Sequence, residues 1–247
     1  MNKVNPFLYQ NIDNSNHWII SEIIINQCKQ HPKNKIIQFV DGPEWSFDDL
    51  KNIAFEKAKT LRDLSINQGD TVTVMVDDPV DFIPYWVASS FLGVMFVALN
   101  TALKGSVLLH QIRLANSNVI IVSDVYYEDV AQLVQENKSK IKVLNCSELK
   151  STGMILEKDV YHGKISDEVC TMFTSGTSGP SKGVLMPNAH CVLFAVGTIE
   201  NYKLNHDHVF YISLPLFHAN GLFMQLLACI MVGSKAIIKS RFSASNW

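Results

Sequence analysis

One ten-residue segment, positions 174–183, combines the residue types that bind phosphate groups. It reads Thr-Ser-Gly-Thr-Ser-Gly-Pro-Ser-Lys-Gly, with three glycines, five hydroxyl side chains and one lysine. Glycines let backbone N–H groups converge on an anion, hydroxyl groups add hydrogen-bond donors, and Lys182 adds a positive charge. The spacing differs from a Walker A loop, which needs glycine in place of Ser181 and a hydroxyl residue in place of Gly183. Apolar segments on both sides make a flexible glycine-serine linker the poorer interpretation.

Histidines supply the other candidates for chemistry. His218 follows an apolar Leu-Pro-Leu-Phe run, and taken alone these residues favour a buried, hydrogen-bonded histidine. The His-Asp-His sequence at 206–208 is spaced like part of a metal site, but the spacing places no third ligand, so a turn before a strand is favoured. Asp78 precedes Pro79, which is typical of a helix start. The sequence therefore predicts no metal ligand within its 247 residues.

Composition and charge exclude several classes of protein. Hydrophobic residues make up 47% and charged residues 18% of the chain, which indicates a globular rather than a disordered protein. The 21 basic residues are balanced by 23 acidic ones without any basic run, so no nucleic-acid partner is predicted. The five cysteines are odd in number and widely spaced. They indicate neither a disulfide framework nor a cysteine zinc site, and thus a reduced, cytoplasmic protein.

Two uncharged stretches, 82–103 and 209–234, are long enough to be considered as membrane spans. A spanning helix needs about 20 predominantly apolar residues. Both stretches carry proline and polar residues near their centres, which are costly in lipid unless protein covers them. The first 16 residues are polar and lack the apolar region of a signal peptide. A membrane protein is thus the weaker alternative, and we predict no transmembrane segment.

Strand-like and helix-like segments alternate along the chain. Strands are predicted at 35–40, 45–47, 71–76, 94–99, 119–122, 140–144, 169–173, 183–186, 209–213 and 234–239, and helices at 46–64, 78–92, 106–116, 125–137, 187–200 and 219–231. The strands are continuously apolar rather than alternating. The pattern therefore predicts an α/β fold of layered, mostly parallel sheets covered by helices.

Local signals refine this arrangement. Asp41-Gly42 predicts a hairpin turn between the first two strands. Ser46 followed by Asp49 is a capping-box variant that opens a helix. The apolar run 19–25 is interpreted as a core-facing segment, and the polar, irregular segment 153–167 as a possible break between sub-structures.

Residues 174–183 resemble the phosphate-binding signature of the adenylate-forming (AMP-binding) superfamily, which includes acyl-CoA synthetases, peptide-synthetase adenylation domains and luciferases. Further segments resemble family signatures in the expected order, namely 45–50, 69–72, 92–100, 214–221 and 240–247. The departures are Ser178 in place of threonine, proline at 180 rather than at 181, and Ala98 in place of proline. The resemblance covers nearly the whole chain and corresponds to the amino-terminal part of the family pattern.

The resemblance implies ATP-dependent activation of a small-molecule carboxylic acid. The carboxylate attacks the α-phosphate of ATP–Mg²⁺ to give an acyl-adenylate and pyrophosphate, and a thiol, commonly that of coenzyme A, then displaces AMP. It implies phosphate binding by Thr174, Ser175, Gly176, Thr177, Ser178, Gly179 and Lys182. It also implies that His218 is catalytic beside an acyl pocket to which Phe217, Ala219 and Asn220 contribute. The alternatives are an adenylation domain that loads a carrier-protein thiol and a non-catalytic remnant.

The family pattern continues with segments that this sequence does not contain. They are a Tyr-Gly-x-x-Glu segment whose glutamate helps to hold Mg²⁺, a Thr-Gly-Asp segment whose aspartate holds ribose, and a carboxy-terminal lid with a lysine. We therefore expect the 247 residues to be an incomplete AMP-binding domain that does not catalyse the full reaction alone.

Overall fold

The computed structural model describes residues 5–174 and 180–240. The chain forms two compact units, the first built from residues 1–53, 162–167 and 187–247 and the second from residues 54–161 and 168–186. Each unit combines a mostly parallel sheet with covering helices. The predicted α/β fold class is therefore confirmed.

Strands and helices alternate in the predicted order. The strands are β1 (Lys35–Phe39), β2 (Glu44–Ser46), β3 (Thr71–Met75), β4 (Met95–Ala98), β5 (Val119–Val122), β6 (Lys142–Asn145), β7 (Glu168–Phe173), β8 (Gly183–Pro187), β9 (Val209–Ile212) and β10 (Lys235–Ile238). The helices are α1 (Ile20–Gln30), α2 (Phe47–Asp63), α3 (Pro79–Leu92), α4 (Gly105–Ala115), α5 (Asp124–Glu136), α6 (Asn188–Tyr202) and α7 (Ala228–Val232), and a π-helix (Asn220–Leu227) immediately precedes α7. Short 3₁₀ turns lie at Ser15–His17, Cys146–Glu148 and Glu157–Asp159. Every predicted strand, and every predicted helix except the one at 219–231, has an observed counterpart with closely matching bounds.

Two local differences concern helices. α1 is an additional helix, and its buried Ile20, Ile23 and Ile24 confirm that the apolar run 19–25 faces a core. The α-helix predicted over 219–231 is wrong in its first part, where the backbone forms the π-helix instead. The side-chain bond from Gln225 Nε2 to Asn220 Oδ1 (2.9 Å) spans the five-residue step of that helix.

The second unit is built on a six-stranded sheet of order β6–β5–β3–β4–β7–β8. Strands β6, β5, β3, β4 and β7 are parallel. β3 leads through α3 to β4 on one side, and β5 leads through α5 to β6 on the other, so the chain winds outward in both directions. Proteins of this design place binding sites at the carboxyl ends of their parallel strands. Thr174, the first residue of the predicted phosphate loop, directly follows β7 at this edge.

α4 is held in the second unit by its apolar side chains. Leu108 and Ile112 belong to a buried cluster that also contains Val97 of β4 and Ile120 of β5. Burying such side chains is the main stabilising contribution in a helix–sheet layer. The helix therefore has a fixed position from which its polar side chains can act.

The first unit is built on a four-stranded sheet of order β2–β1–β10–β9. β1, β10 and β9 are parallel, and β2 is antiparallel to β1. The predicted turn between β1 and β2 is confirmed, because Asp41 takes a left-handed conformation (φ +61°) and Phe39 N donates to Pro43 O at 3.0 Å. Asn188 joins α1 to the segment 162–167 in this unit, accepting from Ile20 N and donating to Lys164 O.

Both predicted ends of α3 are confirmed. Asp78 caps its amino end by accepting from Val80 N at 2.9 Å, and Pro79 follows as the first helical residue. Gly93 ends the helix at φ +64°, and a Cβ atom there would lie 2.5 Å from Cδ1 of Tyr161. Both its conformation and the space around it therefore require glycine.

Within residues 5–174 and 180–240, none of the helices combines the length and hydropathy needed to cross a bilayer.

The predicted capping box at the start of α2 is confirmed. Ser46 N donates to Asp49 Oδ2 at 2.8 Å, and Asp49 N donates to Ser46 Oγ at 3.2 Å. These bonds from the backbone and hydroxyl of Ser46, with a further bond from Lys35, lower the pKa of Asp49 to about 2. The folded chain therefore stabilises the ionised carboxylate of Asp49 more strongly than the protonated acid.

Ser46→Ala should lower the free energy of unfolding by about 1 kcal/mol, the typical cost of losing a helix cap. The folded-state pKa of Asp49 lies below its unfolded value of about 3.9, so its contribution is present above that pH and is lost as the pH falls toward 2. The variant should show a weaker loss of stability across this range. Urea unfolding between pH 6 and pH 2 measures both effects, with Ser106→Ala in the exposed first turn of α4 as the control. Equal stability of Ser46→Ala and wild type would contradict the prediction.

Candidate functional site

The base of the predicted phosphate loop is closed by hydrogen bonds between the two ends of the loop. Thr174 N donates to Lys182 O at 3.0 Å, and Lys182 N donates to Thr174 Oγ1 at 3.1 Å. Thr174 directly follows β7, Gly183 begins β8, and β7 and β8 are neighbours in the sheet. The two ends of the loop therefore lie at adjacent strands of the sheet of the second unit.

The structure brings together two of the predicted phosphate ligands, Thr174 and Lys182. Both residues are exposed, so the Lys182 ammonium group is accessible to an anion from solvent. The remaining predicted ligands lie outside the described residues, namely Ser175, Gly176, Thr177, Ser178 and Gly179.

α4 contacts Ser181, at the exit of the loop, through two residues that no sequence motif indicated. Gln111 Nε2 donates to Ser181 Oγ at 3.0 Å. His110 Nε2 lies 3.0 Å from Ser181 O, and the imidazole donates because a carbonyl oxygen only accepts. A signal was available for Gln111, since it is a polar residue within the buried face that Leu108 and Ile112 form on the same helix.

The segment that contains His218 lies in the first unit, between β9 and the π-helix. Its backbone is fixed by a bond from His218 N to Pro215 O and by one from Leu222 N to His218 O, both 3.1 Å. At Gly221 a Cβ atom would lie 2.7 Å from Pro215 O and 2.8 Å from Leu214 O. Only glycine lets the π-helix begin this close to the preceding backbone.

The imidazole of His218 is exposed, and its centroid lies 4.6 Å from that of the Phe217 ring. Protein atoms exclude water from part of the ring, and this desolvation lowers the pKa of His218. The ring is therefore neutral at pH 7. Of the other predicted pocket residues, Ala219 is half-buried and Asn220 is exposed. A neutral imidazole can donate and accept hydrogen bonds at an adjacent ligand without carrying charge.

The other possible metal ligands or nucleophiles, within the part of the chain that the structure describes, are histidine, cysteine and acidic side chains. Among residues 5–174 and 180–240, no group of three or more histidine, cysteine or acidic side chains could hold a metal ion. The His-Asp-His sequence forms the predicted turn before β9, in which Asn205 N donates to His208 Nδ1 at 3.1 Å. All five cysteines are buried. Burial raises the pKa of Cys146 to about 11 and that of Cys229 to about 12, so both are protonated at pH 7.

Comparisons with known proteins give a consistent result. The profile described as "AMP-binding enzyme" matches residues 24–246. Long-chain fatty acid transport protein 6 of Homo sapiens is 25% identical over 243 residues, which cover 90% of this chain and 38% of that protein. The 2-succinylbenzoate–CoA ligase of Oceanobacillus iheyensis is 26% identical over 232 residues, which cover 93% of this chain and 45% of that protein.

A solved structure of O-succinylbenzoate coenzyme A synthetase from Bacillus subtilis, in complex with ATP and magnesium ion, matches the fold with a TM-score of 0.80 at 22% identity. The match covers 91% of this chain and 58% of that one. The chain thus spans less than half the length of the two curated relatives described above.

Proposed function

This chain belongs to the AMP-binding enzyme family, and on that premise we propose that it binds ATP at residues 174–182 as part of an enzyme that activates a carboxylic acid. The observation that carries the proposal is the closed base of this loop. Thr174 and Lys182 are held together at the carboxyl end of β7, with the lysine side chain exposed. The complex of the Bacillus subtilis synthetase with ATP and magnesium ion supports the choice of nucleotide.

The proposed reaction has two steps. The carboxylate oxygen attacks the α-phosphate of ATP, which forms the acyl-adenylate and releases pyrophosphate. The sulfur of coenzyme A then attacks the acyl carbon, forms the thioester and releases AMP. Adenylyl transfer depends mainly on positioning and on stabilising charge on phosphate oxygens. The hydroxyl, glycine and lysine residues of segment 174–182 are of the types that can supply both.

We assign a proposed role to each candidate residue. The β- and γ-phosphates are bound by Thr174, Ser175, Gly176, Thr177, Ser178, Gly179 and Lys182. His218, neutral at pH 7, contacts the reacting acid, and Phe217, Ala219 and Asn220 contribute to the acyl pocket. Mg²⁺ accompanies ATP, and we assign no residue of the described chain to it because no suitable cluster is present among those residues.

Coenzyme A is the favoured thiol over a carrier protein, because one relative is named as a CoA ligase. The name of the human relative refers to long-chain fatty acids. We therefore propose a role in acyl-CoA formation and fatty acid metabolism in the cytoplasm. The named acids differ between relatives, so the acid itself is left to experiment.

Acid-dependent exchange of radiolabelled pyrophosphate into ATP tests the proposal. The full-length protein, meaning these 247 residues with whatever chain continues them, is assayed with ATP, Mg²⁺ and a panel of aliphatic and aryl acids, and the acyl-adenylate is detected by mass spectrometry. We expect exchange that depends on one class of acid, followed by thioester formation with coenzyme A. Omitting the acid is the control. Absence of ATP binding by calorimetry, or exchange that no acid stimulates, would overturn the proposed function.

A further inference from the structure

We propose that Gln111 and His110 of α4 are positioning residues for the ATP-binding loop, an inference that rests on the proposed function. They bind Ser181, the residue immediately before Lys182. Neither side chain is assigned to the nucleotide itself. Their effect on ATP binding is transmitted through the backbone that carries the lysine.

Both the hydroxyl group and the carbonyl group of Ser181 accept hydrogen bonds from α4. Its hydroxyl accepts from Gln111 Nε2 and its carbonyl accepts from His110 Nε2, each at 3.0 Å. Ser181 is 9% exposed and Gln111 is 4% exposed, so water does not readily replace the bond between them. The exit of the loop is therefore attached to a helix that the core of the second unit holds in place.

The next residue, Lys182, is held by a different part of the fold. Both backbone polar groups of Lys182 are bonded to Thr174 at the end of β7. Residues 181 and 182 are thus fixed by α4 and by Thr174, which follows β7, while Lys182 remains exposed. A lysine on a fixed backbone loses less conformational freedom when it binds phosphate, which strengthens binding.

The contact depends on the residue type at position 181. The commoner form of the family signature has proline there, and proline has no hydroxyl group to accept from Gln111. In this chain the proline is at 180, and Gln111 Oε1 has no hydrogen-bond partner among the described residues. Ser181 is therefore the partner that orients the Gln111 amide.

Gln111→Leu and Ser181→Ala test the bond from its two ends, and Ser181→Thr keeps the hydroxyl group. We expect the Kd for ATP–Mg²⁺, measured by calorimetry, to rise about three- to tenfold in the first two variants, the range for one uncharged hydrogen bond. The double variant should be no weaker than either single one. Ser181→Thr should retain most of the affinity. His110→Leu should change the Kd in the same direction, because it removes the donor to Ser181 O.

Controls separate positioning from stability. Gln132→Leu removes an exposed glutamine from α5, and Ile112→Val weakens the core of α4 without touching the loop. Both should leave the Kd for ATP unchanged, although the second lowers the thermal midpoint. In the full-length enzyme, Gln111→Leu should raise the KM for ATP and leave the KM for the acid unchanged. A merely structural role would reduce the active fraction and move neither KM.

The outcomes are distinct. Unchanged ATP affinity in Gln111→Leu and Ser181→Ala, with a wild type that binds ATP, would overturn the positioning role and leave the proposed function intact. Additive losses in the double variant would also overturn it. If Gln111→Leu does not fold, Ser181→Ala gives the same test from the loop side. A wild type that binds no ATP would overturn the proposed function and this inference with it.

Discussion

Lys182→Ala should weaken ATP binding by about 10- to 150-fold, the loss expected when a charged hydrogen bond of about 1.5–3 kcal/mol is removed. The side chain is exposed and its backbone is bonded to Thr174. The substitution therefore deletes a charge at the loop without disturbing the backbone bonds that close it. The affinity should be measured by calorimetry with ATP–Mg²⁺, together with the thermal midpoint, which we expect to be unchanged.

Lys140→Ala is the matched control, because it removes the same charge from an exposed position of the second unit. It should bind ATP like the wild type. Lys182→Arg keeps the charge and should lose less affinity than Lys182→Ala. A Lys182→Ala variant with the affinity of a wild type that does bind ATP would show that this lysine is not a phosphate ligand.

His218→Ala should reduce the rate of acid activation by about 10- to 100-fold in the full-length enzyme, as for the loss of one hydrogen-bonding group to a charged reacting centre. The fold should tolerate the change. The hydrogen bonds of His218 to Pro215 and Leu222 use backbone atoms, which alanine retains, and substitutions at exposed positions usually change stability by less than about 0.5 kcal/mol. Activity and thermal midpoint should therefore respond differently.

The pH profile gives this prediction a second readout. Desolvation lowers the pKa of His218, so the neutral ring is the form present at pH 7 and it becomes protonated only below the ordinary histidine pKa of about 6.5. Activity should fall on the acidic side in the wild type, and that fall should be absent in His218→Asn, which keeps a hydrogen-bonding side chain. His162→Ala, an exposed histidine of the first unit, is the control. A loss of activity that only parallels a loss of folded protein would reduce His218 to a packing residue.

Local signals were sufficient to predict most elements. The Ser46–Asp49 pair, the Asp78-Pro79 start of α3 and Gly93 at its end each depend on contacts or conformations within a few residues. α1 was not predicted as a helix, because Ile19, which precedes it, makes no side-chain cap. The π-helix was missed for a different reason. Its apolar pattern also fits an α-helix, and the close approach of Gly221 to the backbone of residues 214–215 is visible only in the folded chain.

Pairing between distant segments could not be read from the sequence. β1 and β10 pair in parallel although almost 200 residues separate them. The sequence of neither strand identifies the other as its partner. The same limit applies to the candidate site. Thr174 and Lys182 belong to one motif and were predicted together, whereas Gln111 meets Ser181 across 70 positions. A polar residue in an apolar helix face signals that a partner exists, but only the fold identifies it.

The burial of every cysteine makes chemical labelling a probe of this chain. Cys28, Cys191 and Cys229 lie in the first unit, and Cys146 and Cys170 lie in the second. A maleimide or disulfide reagent reacts with the exposed thiolate, so each site is modified only when the structure around it opens. Mass spectrometry of the labelled peptides would therefore give a separate labelling rate, and so a separate rate of opening, for each of the two units. Both rates come from one chain of unaltered sequence under one set of conditions. An added surface cysteine would react first and carry a dye without removal of the native thiols.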